Sequence, residues 1–416
     1  MKELILRPSG ALRGHVEIGG CKNAALPILA ATLLCEGDCV IGNLPAIRDV
    51  ELILEILIHM GCAVERIDRA TYKINSTNAA IPQRADALTE KLRGSSYFLG
   101  AGLGRFGEGR IGRIGGCDFG GRPIDQHVKA FTALGASVNM TEEEISASAQ
   151  HLRGSIVRFD TVSVGATVNA MLAAVRAEGE TTLYHAACEP HVVDLANFLN
   201  RCGADIRGAG TDVIRMRGVR RLVGCTYNII PDMIEAGTYL LAGVATQGAI
   251  SVRGISPEHL RPLLEKLQEA GADVDREPYA VTVFAPVRLR GTQITTAPYP
   301  GFPTDLQPQM TAVLSVAEGG SLVKETIWRK RFRYVDELRK MGAAITVRDH
   351  TAAVVGRRLH GAEMTVPDLR AGAALMIAAC AAEGESILHD AYWIERGYEA
   401  LIPKMQALGA DVRAVD

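Results

Sequence analysis

Residues 263–274 read Leu-Leu-Glu-Lys-Leu-Gln-Glu-Ala-Gly-Ala-Asp-Val, and this stretch contains the pattern from which the whole chain is built. Leucines at 263, 264 and 267 form an apolar stripe at helical spacing. Gly271 follows the stripe, in the place where glycine often ends a helix in the left-handed conformation. The next residues, Ala-Asp-Val, begin a short alternating strand. The stretch therefore predicts a helix, a glycine turn and a strand in immediate succession.

The same pattern occurs six times. Each copy consists of an apolar residue, a glycine and then Ala or Cys, followed by a short strand. The copies recur at intervals of 67 to 74 residues, and their glycines are Gly61, Gly135, Gly203, Gly271, Gly342 and Gly409. A second series of glycines alternates with the first and is also expected to end helices, at Gly37, Gly109, Gly179, Gly248, Gly319 and Gly384. One such unit is too small to bury both faces of its elements, so the units must pack together. Six units predict an α/β (α+β) fold of two pseudo-symmetric domains, and ligands often bind between such domains.

Composition narrows the class of protein. The 416 residues suffice for two or more domains with sizeable cores. With 45 basic and 47 acidic residues the net charge is -2, which argues against a nucleic-acid or membrane-surface protein. The nine cysteines form no CxxC pair, so we expect neither a zinc ribbon nor a disulfide framework, but a reducing, cytoplasmic compartment. The N-terminus does not read as a signal peptide, and no apolar run approaches the roughly 18 residues of a membrane span.

A glycine-rich loop is the first candidate for chemistry. Two glycine pairs bracket Cys117 within residues 115–121, Arg122 follows, and Pro123 stands where a helix could begin. A nearby cation or helix start lowers the pKa of a thiol from its free value of about 8.5 and makes it reactive. The alternative is an inert cysteine in a surface loop.

Corresponding positions of the six units suggest a site. One series falls at predicted starts of first helices and consists of Lys22, Arg93, residues 163–165, Asp232, Asp305 and residues 368–370. A second series lies 13 residues before each helix-ending glycine and consists of Arg48, Arg122, Pro190, Glu258, Arg329 and Arg396. Helix starts expose N–H groups and attract anions. We therefore expect a cleft for a polyanionic substrate, ringed by helix starts. The alternative is a set of ordinary capping and surface residues.

Seven segments carry a resemblance to a known family. They are residues 20–28, 115–117, 121–125, 162–167, 302–305, 368–370 and 396–398, in order along essentially the whole chain. Together they resemble the UDP-N-acetylglucosamine 1-carboxyvinyltransferases, a family of enolpyruvyl transferases. The resemblance implies two inside-out α/β barrels of three repeats each. It also implies that the N-terminal segment joins the C-terminal barrel. The implied domains are 22–230 and 1–21 plus 231–416, with the active site in the cleft between them.

The resemblance also implies a reaction. The enolpyruvyl group of phosphoenolpyruvate would pass to the 3′-hydroxyl of UDP-N-acetylglucosamine with release of phosphate, in the first committed step of peptidoglycan synthesis. The enzyme would serve the cell wall, cell shape and cell division from the cytoplasm. It would bind these two small molecules, with no metal or organic cofactor, no nucleic acid and no membrane. Its reactive thiol would be the target of the epoxide fosfomycin.

The family's functional residues map onto this chain position by position. The implied catalytic residues are Cys117 as proton donor and Asp305 as base, with Lys22 and Arg396. Phosphoenolpyruvate would contact Lys22, Asn23, Arg122 and Arg396. The nucleotide sugar would contact Arg93, Arg122, Pro123, Ile124, Asp125, Gln126, Thr161, Val162, Ser163, Val164, Asp305 and Ile327. Asp49, Asp368, Leu369 and Arg370 would help the cleft to close.

Some positions depart from the family pattern. Thr161 stands where many members carry Lys near the diphosphate, and His191 stands where Glu is common. Residues 329–333, Arg-Lys-Arg-Phe-Arg, form a basic cluster. The cluster is either a solvated face or a structural ion-pair network, or it includes Arg329 as an extra anion contact. The alternatives for function are an enolpyruvyl transferase acting on shikimate 3-phosphate or on a related nucleoside, and a non-catalytic protein that binds a UDP-sugar.

Two further motifs have structural interpretations. Cys35 and Cys39 flank a predicted helix end and are expected to be buried hydrophobes. The glycines of residues 100–104 match a dinucleotide-binding fingerprint too briefly, and we expect them to lie inside a helix.

Overall fold

The computed structural model describes residues 3–82, 87–112, 124–285 and 287–415. The helices in this part of the chain are α1 (Lys22–Ala31), α2 (Arg48–His59), α3 (Tyr97–Phe106), α4 (Asp125–Ala133), α5 (Val164–Ala174), α6 (Pro190–Arg201), α7 (Met233–Ala245), α8 (Pro257–Glu269), α9 (Gln307–Val316), α10 (Val335–Lys340), α11 (Leu369–Cys380) and α12 (Leu401–Ala407). Short 3-10 helices span Thr32–Leu34, Ala87–Lys91, Arg93–Ser96, Thr304–Leu306, Arg331–Tyr334 and Ala391–Arg396. None of these helices is long and apolar enough to cross a membrane.

The strands alternate with these helices. They are β1 (Glu3–Arg7), β2 (Arg13–Glu17), β3 (Cys35–Glu36), β4 (Asp38–Gly42), β5 (Ala63–Arg66), β6 (Tyr72–Asn75), β7 (Glu108–Gly112), β8 (Ser137–Met140), β9 (Glu144–Ser148), β10 (Ile156–Arg158), β11 (Glu180–Tyr184), β12 (Asp205–Arg207), β13 (Val213–Arg217), β14 (Leu222–Val223), β15 (Thr226–Asn228), β16 (Ala249–Arg253), β17 (Asp273–Glu277), β18 (Ala280–Phe284), β19 (Gln293–Thr295), β20 (Gly320–Lys324), β21 (Ala344–Arg348), β22 (Thr351–Val355), β23 (Glu363–Thr365), β24 (Ser386–His389) and β25 (Asp411–Val415).

The described residues divide into two compact units. The N-terminal unit comprises residues 20–112 and 124–230, and the C-terminal unit comprises residues 3–19 and 231–415. The sheets of the C-terminal unit have the strand orders β17-β18-β16-β2, β19-β20-β22-β21 and β23-β24-β1-β25. The N-terminal unit contains the sheets β15-β4-β6-β5, β10-β11-β13-β12 and β7-β9-β8, together with the ladder β14-β3.

One pairing pattern recurs in the four-stranded sheets. In the sheet β19-β20-β22-β21, the first pair is parallel and the other two pairs are antiparallel. In the sheet β23-β24-β1-β25, strand β1 takes the place that β22 has in its own sheet. It pairs antiparallel with both β24 and β25. Strand β2 likewise provides the parallel partner of β16. The first residues of the chain thus complete two sheets of the C-terminal unit.

The first helix of each repeat lies inside its unit and the second helix covers one side. Every residue of α7 and α11 is buried, and these helices contact each other and α9. By contrast, α8 buries Leu260, Leu263, Leu264 and Leu267 on one side and exposes most of its charged residues on the other. A helix buried on all sides must be apolar along its whole length, which explains the Ala-, Gly- and Leu-rich sequences of the first helices.

The predicted glycine turns are confirmed for the first series and partly wrong for the second. The six helix-ending glycines (Gly61, Gly135, Gly203, Gly271, Gly342 and Gly409) have φ between 89° and 107°. Gly109 and Gly248 do not adopt the left-handed conformation, which falls instead on Gly107 and Gln247. A side chain at either of these two glycines would collide with a backbone oxygen of a neighbouring segment. Close packing, rather than a turn, explains glycine there.

Glycines also bring helices α3 and α5 together. Gly100 and Gly104 are one helical turn apart on α3, as the predicted helix requires. A Cβ at Gly100 would lie 2.5 Å from the backbone oxygen of Asn169, and one at Gly104 would lie 2.6 Å from that of Leu172. The N–H of Gly100 also donates to Oδ1 of Asn169 at 2.9 Å. The helices therefore touch backbone to backbone at these positions.

This contact leads to a prediction about stability. Gly100→Val should lower the free energy of unfolding by about 1–3 kcal/mol, because overpacking displaces α3 from α5. Gly320→Val is the matched control, since a Cβ at Gly320 has no neighbour within 4 Å and valine favours a strand. Urea unfolding of both variants measures the difference. Equal stability of Gly100→Val and the wild type would contradict the packing argument.

Candidate active site

Each position of the first sequence series lies at a helix start, as predicted. Lys22 is the first residue of α1, and Arg93 opens the 3-10 helix that leads into α3. Ser163, Asp232 and Asp368 are the N-cap residues of α5, α7 and α11, and Asp305 lies in the 3-10 helix Thr304–Leu306 before α9.

Three of these residues cap their own helices. Oδ1 of Asp232 accepts from the N–H groups of Ile234 and Glu235 at 2.7 and 3.2 Å. Oδ1 of Asp368 accepts from the two corresponding N–H groups of α11 at 2.9 and 3.0 Å, and Oγ of Ser163 accepts from α5 at 3.3 Å. The capping interpretation therefore holds for these three. Lys22, Arg93 and Asp305 do not act as caps, which leaves them as the candidates for chemistry in this series.

Lys22 is held by a buried carboxylate. Its Nζ lies 2.5 Å from Oδ2 of Asp49, in the first turn of α2. The side chain of Asp49 is 1% exposed and that of Lys22 is 12% exposed. Asp49 therefore fixes the ammonium group at the start of α1, where the free N–H groups of the helix also favour an anion. Asn23 follows in the same turn and is partly buried.

Asp305 lies between two buried arginines of the C-terminal unit. Nη2 of Arg331 is 3.3 Å from its Oδ1, and Nη2 of Arg370 is 3.1 Å from its Oδ2. The two guanidinium side chains are 1% and 4% exposed, whereas that of Asp305 is 27% exposed. Each carboxylate oxygen is thus oriented by a separate cation, and the carboxylate still reaches solvent.

Arg370 stays charged despite its burial. Burial disfavours its charged form, but Tyr398 and the carboxylates of Asp305 and Asp232 act in the opposite direction and raise the pKa of its guanidinium. Its guanidinium carbon also lies 5.3 Å from the centroid of the Tyr398 ring. Leu369, the first residue of α11, is buried beside it. Arg370 is therefore a fixed positive charge at the start of this helix.

The basic cluster of residues 329–333 divides into two parts. Arg331 is buried in the ion pair with Asp305, as the ion-pair interpretation predicts. Arg329, Lys330 and Arg333 are exposed. A role for Arg329 in anion binding stays a prediction. The sequence offered no signal that distinguished the buried arginine from its neighbours.

Glu325 was not predicted but organises the surroundings of Asp305. It is 2% exposed, and its Oε1 accepts from the backbone N–H of Ile327 at 2.8 Å. Its Oε2 accepts from the hydroxyl of Thr304, next to Asp305, at 3.0 Å. Glu325 therefore ties the turn of Ile327 to the 3-10 helix that carries Asp305.

Arg396 ends the short helix Ala391–Arg396. Its guanidinium carbon lies 5.2 Å from the centroid of the Trp393 ring. This cation–π contact orients the guanidinium group of Arg396.

Hydrogen bonds connect two segments of the N-terminal unit that were predicted to contact the nucleotide sugar. Gln126, in the first turn of α4, accepts from the backbone N–H of Asp160 at 2.8 Å. Its Nε2 donates to carboxylate oxygens of Asp125 and Asp160 at 2.9 and 3.2 Å. These bonds fix the start of α4 beside the turn that contains Thr161, Val162, Ser163 and Val164. Thr161 and Val162 are exposed in that turn.

His127 is a second residue that the sequence did not single out. It is 2% exposed on α4, and a Cβ at Gly165, in the first turn of α5, would lie 2.9 Å from its Nε2. Burial and the charge of Arg93 lower the pKa of His127 to about 4. Its Nδ1 makes no hydrogen bond to the described residues. Arg93, His127 and the start of α5 therefore form one group with a fixed cation and a neutral imidazole.

Three predicted site residues, Cys117, Arg122 and Pro123, lie outside the described residues. Ile124, which follows them, is buried at the start of α4. Among the residues that the structure describes, no group of three or more His, Cys, Asp or Glu side chains is placed to hold a metal ion.

Comparison with known proteins places these features in a family. The family model of EPSP synthase (3-phosphoshikimate 1-carboxyvinyltransferase) matches residues 6–405. UDP-N-acetylglucosamine 1-carboxyvinyltransferase 2 of Clostridium acetobutylicum is 48% identical over 415 residues, which cover 99% of both chains. UDP-N-acetylglucosamine 1-carboxyvinyltransferase of Clostridium botulinum is 48% identical over 417 residues and has the same coverage.

Solved structures show the same fold. The enolpyruvyl transferase NikO of Streptomyces tendae is 26% identical, covers 99% of this chain and 98% of its own, and superposes with a TM-score of 0.89. EPSP synthase of Acinetobacter baumannii is 18% identical, covers both chains completely and has a TM-score of 0.76. The predicted fold class of two inside-out α/β barrels, each with three repeats, is thereby confirmed.

The buried imidazole of His127 gives a prediction about pH. A histidine in the unfolded chain has a pKa near 6.5, so the unfolded state binds a proton that the folded state rejects until pH falls to about 4. The folded protein should therefore lose up to about 3 kcal/mol of stability as pH falls from 6.5 to 4. His127→Asn should lack this contribution and show a flatter profile, measured by urea unfolding across that range.

The exposed His59 on α2 provides the control. His59→Asn should keep the wild-type pH profile. A His127→Asn profile as steep as that of the wild type would contradict the assignment.

Proposed function

The chain belongs to the EPSP synthase family of enolpyruvyl transferases and, within it, to the UDP-N-acetylglucosamine 1-carboxyvinyltransferases. From this membership we propose that it transfers the enolpyruvyl group of phosphoenolpyruvate to the 3′-hydroxyl of UDP-N-acetylglucosamine and releases phosphate, in peptidoglycan synthesis. The observation that carries the catalytic part of the proposal is the carboxylate of Asp305, oriented on both oxygens by buried arginines. The reaction needs such a base next to anionic substrates.

Phosphoenolpyruvate carries a phosphate and a carboxylate, so its site needs several cations. Lys22 supplies one at the start of α1, where Asp49 fixes its position. Arg396 supplies a second, and Arg122 a third. Asn23 donates to the same ligand. Lysine suits the phosphate as a point charge, and arginine can bind a carboxylate through two parallel hydrogen bonds.

The transfer proceeds by addition and elimination. Cys117 donates a proton to the vinyl carbon of phosphoenolpyruvate, and the adjacent carbon becomes electron-deficient. The sugar hydroxyl attacks that carbon, and its proton passes to Asp305. Loss of a proton from the new methyl group and departure of phosphate then restore the double bond. Fixed cations and helix N–H groups stabilise the charge that develops in these steps.

The nucleotide sugar contacts the N-terminal unit around α4 and α5. Arg93 and the start of α5 suit its diphosphate, because a guanidinium and free N–H groups both attract anions. The diphosphate is also lined by the turn of residues 161–164. Asp125 and Gln126, which are hydrogen-bonded to each other, line it as well. Thr161 offers a hydroxyl where many members of the family carry Lys, so Arg93 and Arg122 supply the positive charge.

The function is tested by phosphate release from phosphoenolpyruvate with a set of acceptors. We expect release with UDP-N-acetylglucosamine and none with shikimate 3-phosphate, uridine or no acceptor. Release with shikimate 3-phosphate or uridine, but not with UDP-N-acetylglucosamine, would show that the proposed acceptor is wrong. Absence of release with all of them, together with tight binding of UDP-N-acetylglucosamine, would indicate a binding protein without catalysis.

Asp305 can be tested separately. Asp305→Asn keeps the shape and removes the base, so kcat should fall by about 100-fold to 10,000-fold while the KM for phosphoenolpyruvate changes little. The matched control is Asp336→Asn, because Asp336 also pairs with an arginine, Arg339 at 2.6 Å, but is exposed on α10. A kcat within a factor of two of the wild type for Asp305→Asn would exclude Asp305 as the base.

A further inference from the structure

Four cysteines that the proposed reaction does not use meet in the N-terminal unit. Cys35 begins β3 and Cys39 lies in β4, whereas Cys202 is the C-cap of α6 and Cys225 lies between β14 and β15. The parallel pairing of β14 with β3 and of β15 with β4 brings these distant segments together. The backbone oxygens of Cys202 and Cys225 also accept from Val223 and Val40 at 2.8 and 2.9 Å.

Two of the sulfur atoms are in contact, since Sγ of Cys202 lies 3.5 Å from Sγ of Cys225. The thiol of Cys35 donates instead to the backbone oxygen of Ala31 at 3.9 Å. Cys35, Cys39 and Cys202 are almost completely buried, whereas Cys225 is partly exposed. The predicted burial of Cys35 and Cys39 is therefore confirmed. We call Cys35, Cys39, Cys202 and Cys225, which strand pairing brings to adjacent segments, the cysteine cluster.

We propose that Cys202 and Cys225 form an oxidisable dithiol, which a peroxide converts into a disulfide between the end of α6 and the segment before β15. A disulfide needs an S–S distance of about 2.05 Å, so the two sulfurs must approach each other by about 1.5 Å. Partial exposure makes Cys225 the thiol that a small oxidant reaches first.

The chemistry requires only hydrogen peroxide as oxidant. The Cys225 thiolate attacks one peroxide oxygen, which forms a sulfenic acid and releases hydroxide. Cys202 then attacks the sulfenic sulfur, the S–O bond breaks, and the leaving oxygen departs as water with the Cys202 proton. Overall, two thiols and one peroxide give one disulfide and two waters.

The disulfide would strengthen a series of hydrogen bonds that connects α6 to the residue before Lys22. Tyr227, two residues after Cys225, donates to Oδ1 of Asp194 on α6 at 2.5 Å. The N–H of Ile230 donates to Oδ2 of the same carboxylate at 3.2 Å, and the oxygen of Ile230 accepts from Cys21, the residue before Lys22, at 2.8 Å. Oxidation therefore acts on the segment that positions the start of α1.

Peptide mapping of the full chain tests the proposal. The protein is treated with hydrogen peroxide, its remaining thiols are alkylated, and it is digested without reduction. We expect a linked peptide that joins residues 202 and 225, reversed by dithiothreitol and absent from Cys225→Ser. Cys188→Ser is the matched control, because Cys188 is also partly exposed in this unit but its thiol donates to the backbone oxygen of Ala186 and not to another thiol among the described residues. It should keep the link.

A second measurement is independent of the mapping. Oxidation should raise the midpoint of thermal unfolding by about 2–5 °C in the wild type and in Cys188→Ser, and not in Cys225→Ser. Oxidation of Cys225 to a sulfinic acid without any link would overturn the proposal. So would a stoichiometric soft metal ion in the purified protein that is lost in Cys225→Ser, because the thiols would then be metal ligands.

Discussion

Helices that are buried on every side set the main constraint on this molecule. In the C-terminal unit, α7, α9 and α11 contact one another, and every residue of α7 and α11 is buried. A polar group in the middle of such a helix needs a partner inside the core. The helix starts are different, because their first N–H groups need acceptors and can face a ligand. The fold therefore confines charged chemistry to the helix starts, and Lys22, Arg93 and Asp305 lie there.

The buried ion pairs at these helix starts fix the orientation of the proposed catalytic groups. A charge with no partner is costly to bury, and the buried charges at these helix starts lie in ion pairs. Asp49 holds Lys22, while Arg331 and Arg370 hold Asp305, whose carboxylate keeps its access to solvent. Such groups are oriented before any substrate arrives, so little reorganisation remains for the reaction itself.

Much of this architecture could be predicted from the sequence, because the repeat makes each local signal appear six times. The helix-ending glycines and the first series of helix starts were predicted correctly for this reason. The prediction that Gly109 and Gly248 end helices in the left-handed conformation was wrong. Close approach of two backbones also requires glycine and therefore gives the same sequence pattern as a helix-ending turn. His127, Glu325 and the burial of Arg331 depend on contacts between distant segments. The cysteine cluster was missed for the same reason, since only strand pairing brings Cys35 and Cys225 together.

The proposed reaction transfers an enolpyruvyl group and neither transfers nor hydrolyses a phosphoryl group. Phosphoenolpyruvate labelled with ¹⁸O in the oxygen that bridges carbon and phosphorus distinguishes these reactions directly. In enolpyruvyl transfer the C–O bond breaks, so mass spectrometry should find the label in the released phosphate and not in the modified sugar nucleotide. Label retained on the three-carbon product would mean that the P–O bond breaks, and it would contradict the account.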